Sequence, residues 1–145
     1  MKRKPRVIVF DDNEDIRLLM ETVFKNNGCE VITYEDPSLC PLQQSHDCRC
    51  NDKETCTDIV LTDIDMPNVS GLDFIERQIK KGCTIKNIGI MSGLWSDENM
   101  ERAKKLGGKV FEKPVSPSSI AGWVQECLER RKLGRVLSNW FLEEK

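Results

Sequence analysis

The sequence has no window of the roughly 18 uninterrupted apolar residues that a membrane-spanning helix needs, and no internal repeat or low-complexity tract. It also lacks an excess of either charge. Its 22 Lys and Arg against 24 Asp and Glu leave a formal net charge of −2, so the balance favours neither nucleic acid nor an anionic membrane surface as a partner. The N-terminus, MKRKPRVIVFDD, passes from basic residues to a short strand-like run and then to acid, without the apolar core and cleavage site of a signal peptide. These absences predict a cytoplasmic chain that engages neither nucleic acid nor membrane. At 145 residues it can bury one compact core and falls short of two full domains.

Cysteine, by contrast, is plentiful. There are seven, and without an export signal they read as reduced thiols, either core residues or metal ligands. Four of them, Cys40, Cys48, Cys50 and Cys56, crowd a polar stretch from Glu35 to Asp58 that also holds Pro37, Pro41 and His46 and shows no helical stripe. One reading of this stretch is a polar loop whose thiols are inert. The other is a thiolate site, with His46 as a substitute ligand, that closes on Zn²⁺ or holds an iron–sulfur cluster. The spacing x7, x1, x5 matches neither a standard finger nor a ferredoxin run. Metal is favoured because a segment too polar to build a core needs a crosslink to stay ordered. Cys29, Cys83 and Cys127 lie apart and read as packing residues, as do Trp95 and Trp123.

Five β-rich runs alternate with four helix-period runs, the pattern of βαβ crossovers around a parallel sheet. The runs near Arg6 to Phe10, Cys29 to Tyr34, Ile59 to Thr62, Asn87 to Met91 and Lys109 to Glu112 are the expected strands. Helices are expected around Ile16 to Phe24, Leu72 to Ile79, Ser96 to Leu106 and Ser116 to Leu128. Right-handed crossovers most simply give a flavodoxin-like, doubly wound sheet of order 2-1-3-4-5, with the second helix replaced by the cysteine-rich loop of residues 36–58. This α/β domain is expected to span residues 1–132. The remaining residues, 133–145, carry a stripe of Leu133, Val136, Leu137, Trp140 and Phe141, which at about 100° per residue faces away from the stripe of the preceding helix. Either Gly134 breaks the helix, or a continuous helix offers its tail to a partner or to a second copy of the chain. No output domain is expected from so short a tail.

In a 2-1-3-4-5 sheet, strands one and three are neighbours, and ligands bind beyond their carboxyl ends. Asp11 and Asp12 leave strand one and Asp63 leaves strand three. Three carboxylates converging in a partly desolvated crevice require a cation or raised pKa values, and an incomplete cage of oxygen ligands suits Mg²⁺. Lys113, at the end of strand five, and Ser92, at the end of strand four, would supply a cation and a hydroxyl to an incoming phosphoryl group. Gly93, next to Ser92, leaves space for it.

These residues resemble the receiver domains of two-component response regulators. The resemblance runs from about Pro5 to Arg131 and rests on VIVFDDNEDIR, DIVLTDIDMPNVSGLDFI, IMSG and VFEKPVSP, in that order. It implies that Asp63 attacks a phosphohistidine of a sensor kinase or phosphotransfer protein, or a small acyl phosphate, and carries the phosphoryl group as an acyl phosphate. It further implies that Asp12, the Asp63 carboxylate and the Asp65 backbone carbonyl ligate Mg²⁺ directly, with Asp11 acting through water. Lys113 would bind phosphoryl oxygens, Lys113-Pro114 would be cis, and Ser92 would move toward the phosphoryl group. Strand four, the next helix and strand five would then change as an output surface for an unknown downstream protein.

Three departures stand out. Asp65 places another acid at the position that tunes phosphoryl lifetime, Val110 stands where many receivers have an aromatic, and the cysteine segment replaces a helix. Two other functions compete. DIDMP resembles the Asp-x-Asp start of haloacid-dehalogenase-type phosphatases, in which Asp65 would be general acid, although this acidic pair precedes Asp63 and no cap domain follows. A phosphorylation-independent binding module, responsive to metal or redox state through the cysteine segment, is the third reading.

Overall fold

The computed structural model describes residues 4–48, 50, 51, 54–130 and 135–138. Its main sheet is built from β1 (Arg6–Phe10), β2 (Glu30–Tyr34), β4 (Ile59–Asp63), β5 (Ile88–Ser92) and β6 (Lys109–Glu112), all parallel, in the order β2-β1-β4-β5-β6. This is the expected 2-1-3-4-5 arrangement. The labels differ only because a short strand, β3 (Glu54–Thr55), precedes β4 and pairs in parallel with β7 (Val136–Leu137) in a separate two-stranded ribbon.

The strands alternate side chains between two buried faces, the signature of a parallel sheet covered on both sides. Ile8, Phe10, Val60, Ile88 and Ile90 face α3 (Gly71–Lys80), α4 (Asp97–Lys105) and the cysteine segment, where Leu72, Phe74, Ile75 and Cys40 complete the core. Val7, Val9, Ile59, Leu61 and Met91 face α1 (Glu14–Asn26) and α5 (Pro117–Glu129), meeting Met20, Phe24, Ile120, Trp123 and Cys127. Each fully buried side chain of this size stabilises the fold by about 1.5–3 kcal/mol. Leu19, which shares the periodic stripe of α1, is instead 40 % exposed.

Helix boundaries follow from caps. The side chains of Asn13, Ser70, Ser96 and Ser116 accept from the backbone N–H groups of Ile16, Asp73, Asn99 and Ser119, satisfying donors that a helix start leaves orphaned. Pro117 occupies the first turn of α5, where its missing N–H costs nothing. After α1 the chain turns back at Gly28 with φ +83°, a conformation that a side chain would oppose.

The cysteine segment is more structured than an open loop. Asp36 caps a 3₁₀ turn at Pro37–Leu39, and a single helical turn, α2 (Pro41–Gln44), follows. Among the described residues a full second helix is absent, because prolines interrupt the segment and within α2 only Leu42 is buried. Lys81, just beyond α3, donates to the carbonyls of Leu42 (2.7 Å) and Gln43 (3.0 Å), closing the short helix.

The tail departs from the helical expectation. Val136 and Leu137 form the strand paired with β3, and the buried Arg6 guanidinium donates to the carbonyls of Ser138 (2.8 Å) and Cys56 (3.1 Å). A carbonyl row beside β3 and a buried cation outweigh the 3.6-residue periodicity there. Leu133, Trp140 and Phe141, the rest of that stripe, lie outside the described residues, as does Gly134. Among the described residues, no helix is long and apolar enough to cross a membrane.

Candidate functional site

The carboxyl ends of β1, β4, β5 and β6 form one rim. Asp11 and Asp63 sit at its floor, 0 % and 6 % exposed, while Asp12 is exposed at the mouth. Carboxylate oxygens of all three lie within 4.8 Å of one another. The Lys113 ammonium bridges the two buried acids, at 2.9 Å from Asp11 Oδ2 and 3.2 Å from Asp63 Oδ2. Backbone N–H groups of Asn13 and Ile64 donate to the other oxygens, Asp11 Oδ1 and Asp63 Oδ1, both at 2.9 Å. Arg17 donates to the Asp11 carbonyl at 2.8 Å, tying α1 to the rim.

Burial, reinforced by the Asp11 charge, pushes the Asp63 carboxyl above its ordinary range despite Lys113. For Lys113, burial alone would favour the neutral amine, but hydrogen bonds and charge from Asp11 and Asp63 outweigh it and raise its pKa. Three carboxylates against one bridging ammonium leave an excess of about two negative charges, and their oxygens match what a hard dication takes.

Ser92 is buried at the end of β5, and its hydroxyl is shared with Leu94, accepting from its N–H (3.1 Å) and donating to its carbonyl (3.2 Å). The same loop is fastened to β6 by Trp95, whose indole N–H donates to the Phe111 carbonyl at 3.0 Å. At Gly93 an added Cβ would meet open space. Asp65 is exposed beyond β4, and Lys113-Pro114 is cis.

One rim residue was not singled out by sequence. Gly71 opens α3 directly beneath the Asp63 carbonyl, and a Cβ there would collide with that carbonyl and with Thr62. The signal was available in NVSGLDFI, whose glycine sits at a helix start where close backbone approach is common.

The cysteines come together differently from the expectation. Cys48, Cys50, Cys56 and Cys83 converge, with Sγ atoms mutually within 4.8 Å. Cys40 does not join them. It is fully buried in the core against Tyr34, and burial pushes its thiol up to about 12. Nor does His46, which is exposed beyond α2. Cys83, expected to be a packing residue, replaces both because α3 ends at Lys80 and returns the chain beside the segment: the Cys48 N–H donates to the Lys81 carbonyl at 3.0 Å. Cys29 and Cys127 are buried in the core as expected.

Comparison with known proteins agrees with this geometry. The chain is 28 % identical over 131 residues to the CAI-1 autoinducer sensor kinase/phosphatase CqsS of Vibrio cholerae, covering 85 % of this chain but only 18 % of that protein's length. It is also 28 % identical over 123 residues to Protein PilG of Pseudomonas aeruginosa, covering 83 % of this chain and 84 % of PilG. The receiver domain of the Francisella response regulator 1452 superposes with a TM-score of 0.73 at 25 % identity, covering 89 % of this chain and all of that domain. The profile of the response regulator receiver domain matches residues 7–125. This chain therefore belongs to the response regulator receiver family, and the phosphatase reading gives way to it.

Proposed function

We propose that the chain is a phosphorylation switch in which Asp63 accepts a phosphoryl group from a sensor histidine kinase or phosphotransfer protein. The observation that carries this reading is the Asp63 carboxylate held beside Asp11 and under Lys113 at the strand ends of a receiver fold. An Asp63 oxygen attacks phosphorus as the bond to the donor imidazole, or to the carboxylate of a small acyl phosphate, breaks. The product is an acyl phosphate, and water later returns the carboxylate and inorganic phosphate. The chain thus catalyses its own phosphorylation and dephosphorylation and turns over no separate substrate.

Asp12, Asp63 and the Asp65 backbone carbonyl would hold Mg²⁺ directly, with Asp11 through water. When bound, the ion supplies positive charge that neutralises the phosphoryl oxygens during transfer. Lys113 orients and neutralises a further phosphoryl oxygen, and Ile64 N–H fixes the nucleophile. For Ser92 to reach the phosphoryl group its hydroxyl must leave Leu94, which pulls the loop that Trp95 fastens to β6. Gly93 and the bond to Pro114 shape that wall. The surface of β5, α4 and β6 therefore changes with phosphorylation and is the output face for a downstream protein. The switch is assigned to residues 1–132 of a cytoplasmic protein.

Intact mass after incubation with Mg²⁺ and acetyl phosphate tests this. One hydroxylamine-labile phosphoryl adduct is expected in wild type and none in Asp63→Asn. An adduct of equal yield in the variant overturns the assignment. Fluoroberyllate should change tryptophan emission in wild type and leave Trp95→Phe unchanged.

A further inference from the structure

The four converging cysteines lie at the opposite end of the sheet from Asp63. Cys56 precedes β4, Cys83 lies in the turn before β5, and Cys48 and Cys50 come from the segment after α2. Their sulfurs are separated by 3.5 Å (Cys48 to Cys50), 3.5 Å (Cys50 to Cys56), 3.8 Å (Cys50 to Cys83) and 3.7 Å (Cys56 to Cys83). A disulfide would bring a pair to about 2.05 Å. Four sulfurs at about 2.3 Å from one tetrahedral ion stand about 3.8 Å apart, close to what is found.

The surroundings are those of a ligand shell. The Cys56 N–H donates to the Cys50 sulfur at 3.3 Å, and the Thr55 hydroxyl lies 3.8 Å from it. Such an N–H group holds a thiolate in place and offsets its charge, while the Thr55 hydroxyl donates to the Thr57 carbonyl at 2.8 Å. Cys56 and Cys83 are buried while Cys48 and Cys50 are half-buried, so the cluster is shielded on one side and open to metal entry on the other. A multi-iron cluster needs its cysteines spread around several metal atoms, whereas these sulfurs surround one point. A dry cluster of packed thiols is the competing account. It does not explain why three cysteines of a polar segment and one from the α3–β5 turn aim at the same point.

We propose that Cys48, Cys50, Cys56 and Cys83 form a mononuclear tetrathiolate site for a thiophilic divalent cation, Zn²⁺ by its preference for closed tetrahedral sulfur coordination. On binding, each thiol gives up its proton to solvent and the sulfurs take the four coordination positions; no oxidation is involved. The site staples the segment that stands in place of a second helix to the end of α3.

The full chain, purified without a His tag, should contain about one equivalent of zinc by elemental analysis. After chelation, one equivalent of Co²⁺ should restore the visible bands of tetrahedral cobalt thiolate. Cys83→Ser should lose most of the metal and the cobalt charge-transfer intensity, and Cys40→Ser should keep both. Retention of a full equivalent by Cys83→Ser, two or more irons with inorganic sulfide, or no metal uptake by reduced wild type each overturn the proposal. Should Cys83→Ser fail to fold, chelator-dependent exposure of four thiols in the wild type decides the matter. Phosphorylation at Asp63 is read in parallel, so failure of the switch is distinguishable from failure of the metal site.

Discussion

The two ends of the sheet hold opposite chemistries. At the carboxyl ends of the strands, three carboxylates and a lysine surround a space suited to hard, oxygen-loving cations. At the amino ends, four sulfurs, with the Cys56 N–H donating to that of Cys50, surround a space suited to a soft ion. Asp63 stands seven positions beyond Cys56 along β4 and its entrance, or about 23 Å of extended chain. No ligand can touch both. The first site is open to solvent, because Asp12 and Asp65 at its mouth are exposed. The second is shielded on one side by buried Cys56 and Cys83, which suits a structural role.

Exchanging damage between the ends is the sharpest way to break that contrast. Cys56→Ser should lower stability by on the order of 3 kcal/mol, as loss of a buried crosslink does, yet the folded fraction should still take up phosphate at Asp63. Urea unfolding and intact mass check both halves. Loss of phosphorylation in a protein shown to be folded would mean that the two ends are not independent.

Next in size is Gly71→Ala. Its Cβ collides with the Asp63 carbonyl and Thr62, so a destabilisation of about 1–3 kcal/mol is expected, with slower phosphorylation and unchanged metal content. Wild-type kinetics in this variant would show that the rim relaxes freely.

A smaller effect is pH-dependent. The folded-state pKa of Asp63 is raised above its ordinary value of 3.8, so folding favours its protonated form. In Mg²⁺-free buffer its contribution to stability falls as pH rises through the window above that value, and Asp63→Asn should lack this slope. The sign for Lys113, also raised from 10.5, keeps its stabilisation intact below that value and loses it only at more alkaline pH. Denaturant midpoints measured from about pH 4 upward test this; parallel slopes in the two proteins contradict it. Smallest is Asp65→Asn, which should change autodephosphorylation a few-fold without altering stability, and equal rates would remove Asp65 from the tuning of phosphoryl lifetime.

The contrast also governs what could be read without coordinates. The acidic rim was legible because each of its residues terminates a strand, and strand order alone brings Asp11, Asp12, Asp63, Ser92 and Lys113 to one edge. The cysteine site was half legible. Cys48, Cys50 and Cys56 share a short polar segment, but Cys83 is 27 residues beyond Cys56 and is brought in by the turn after α3, which no local pattern encodes. Cys40 misled for the reverse reason. It is close in sequence, yet the extended backbone before α2 turns it into the core beside Tyr34. Of the two alternatives for the tail, the continuous helix is lost at Val136 and Leu137, which pair with β3 beside Arg6.

Arg6 reaches the carbonyl of Ser138 across 132 positions of chain, the longest separation among the contacts described here. On a growing polypeptide, the sheet and its five helices can be complete while that carbonyl is still unmade. Among the described elements, the latch at β7 is therefore the last to dock during synthesis.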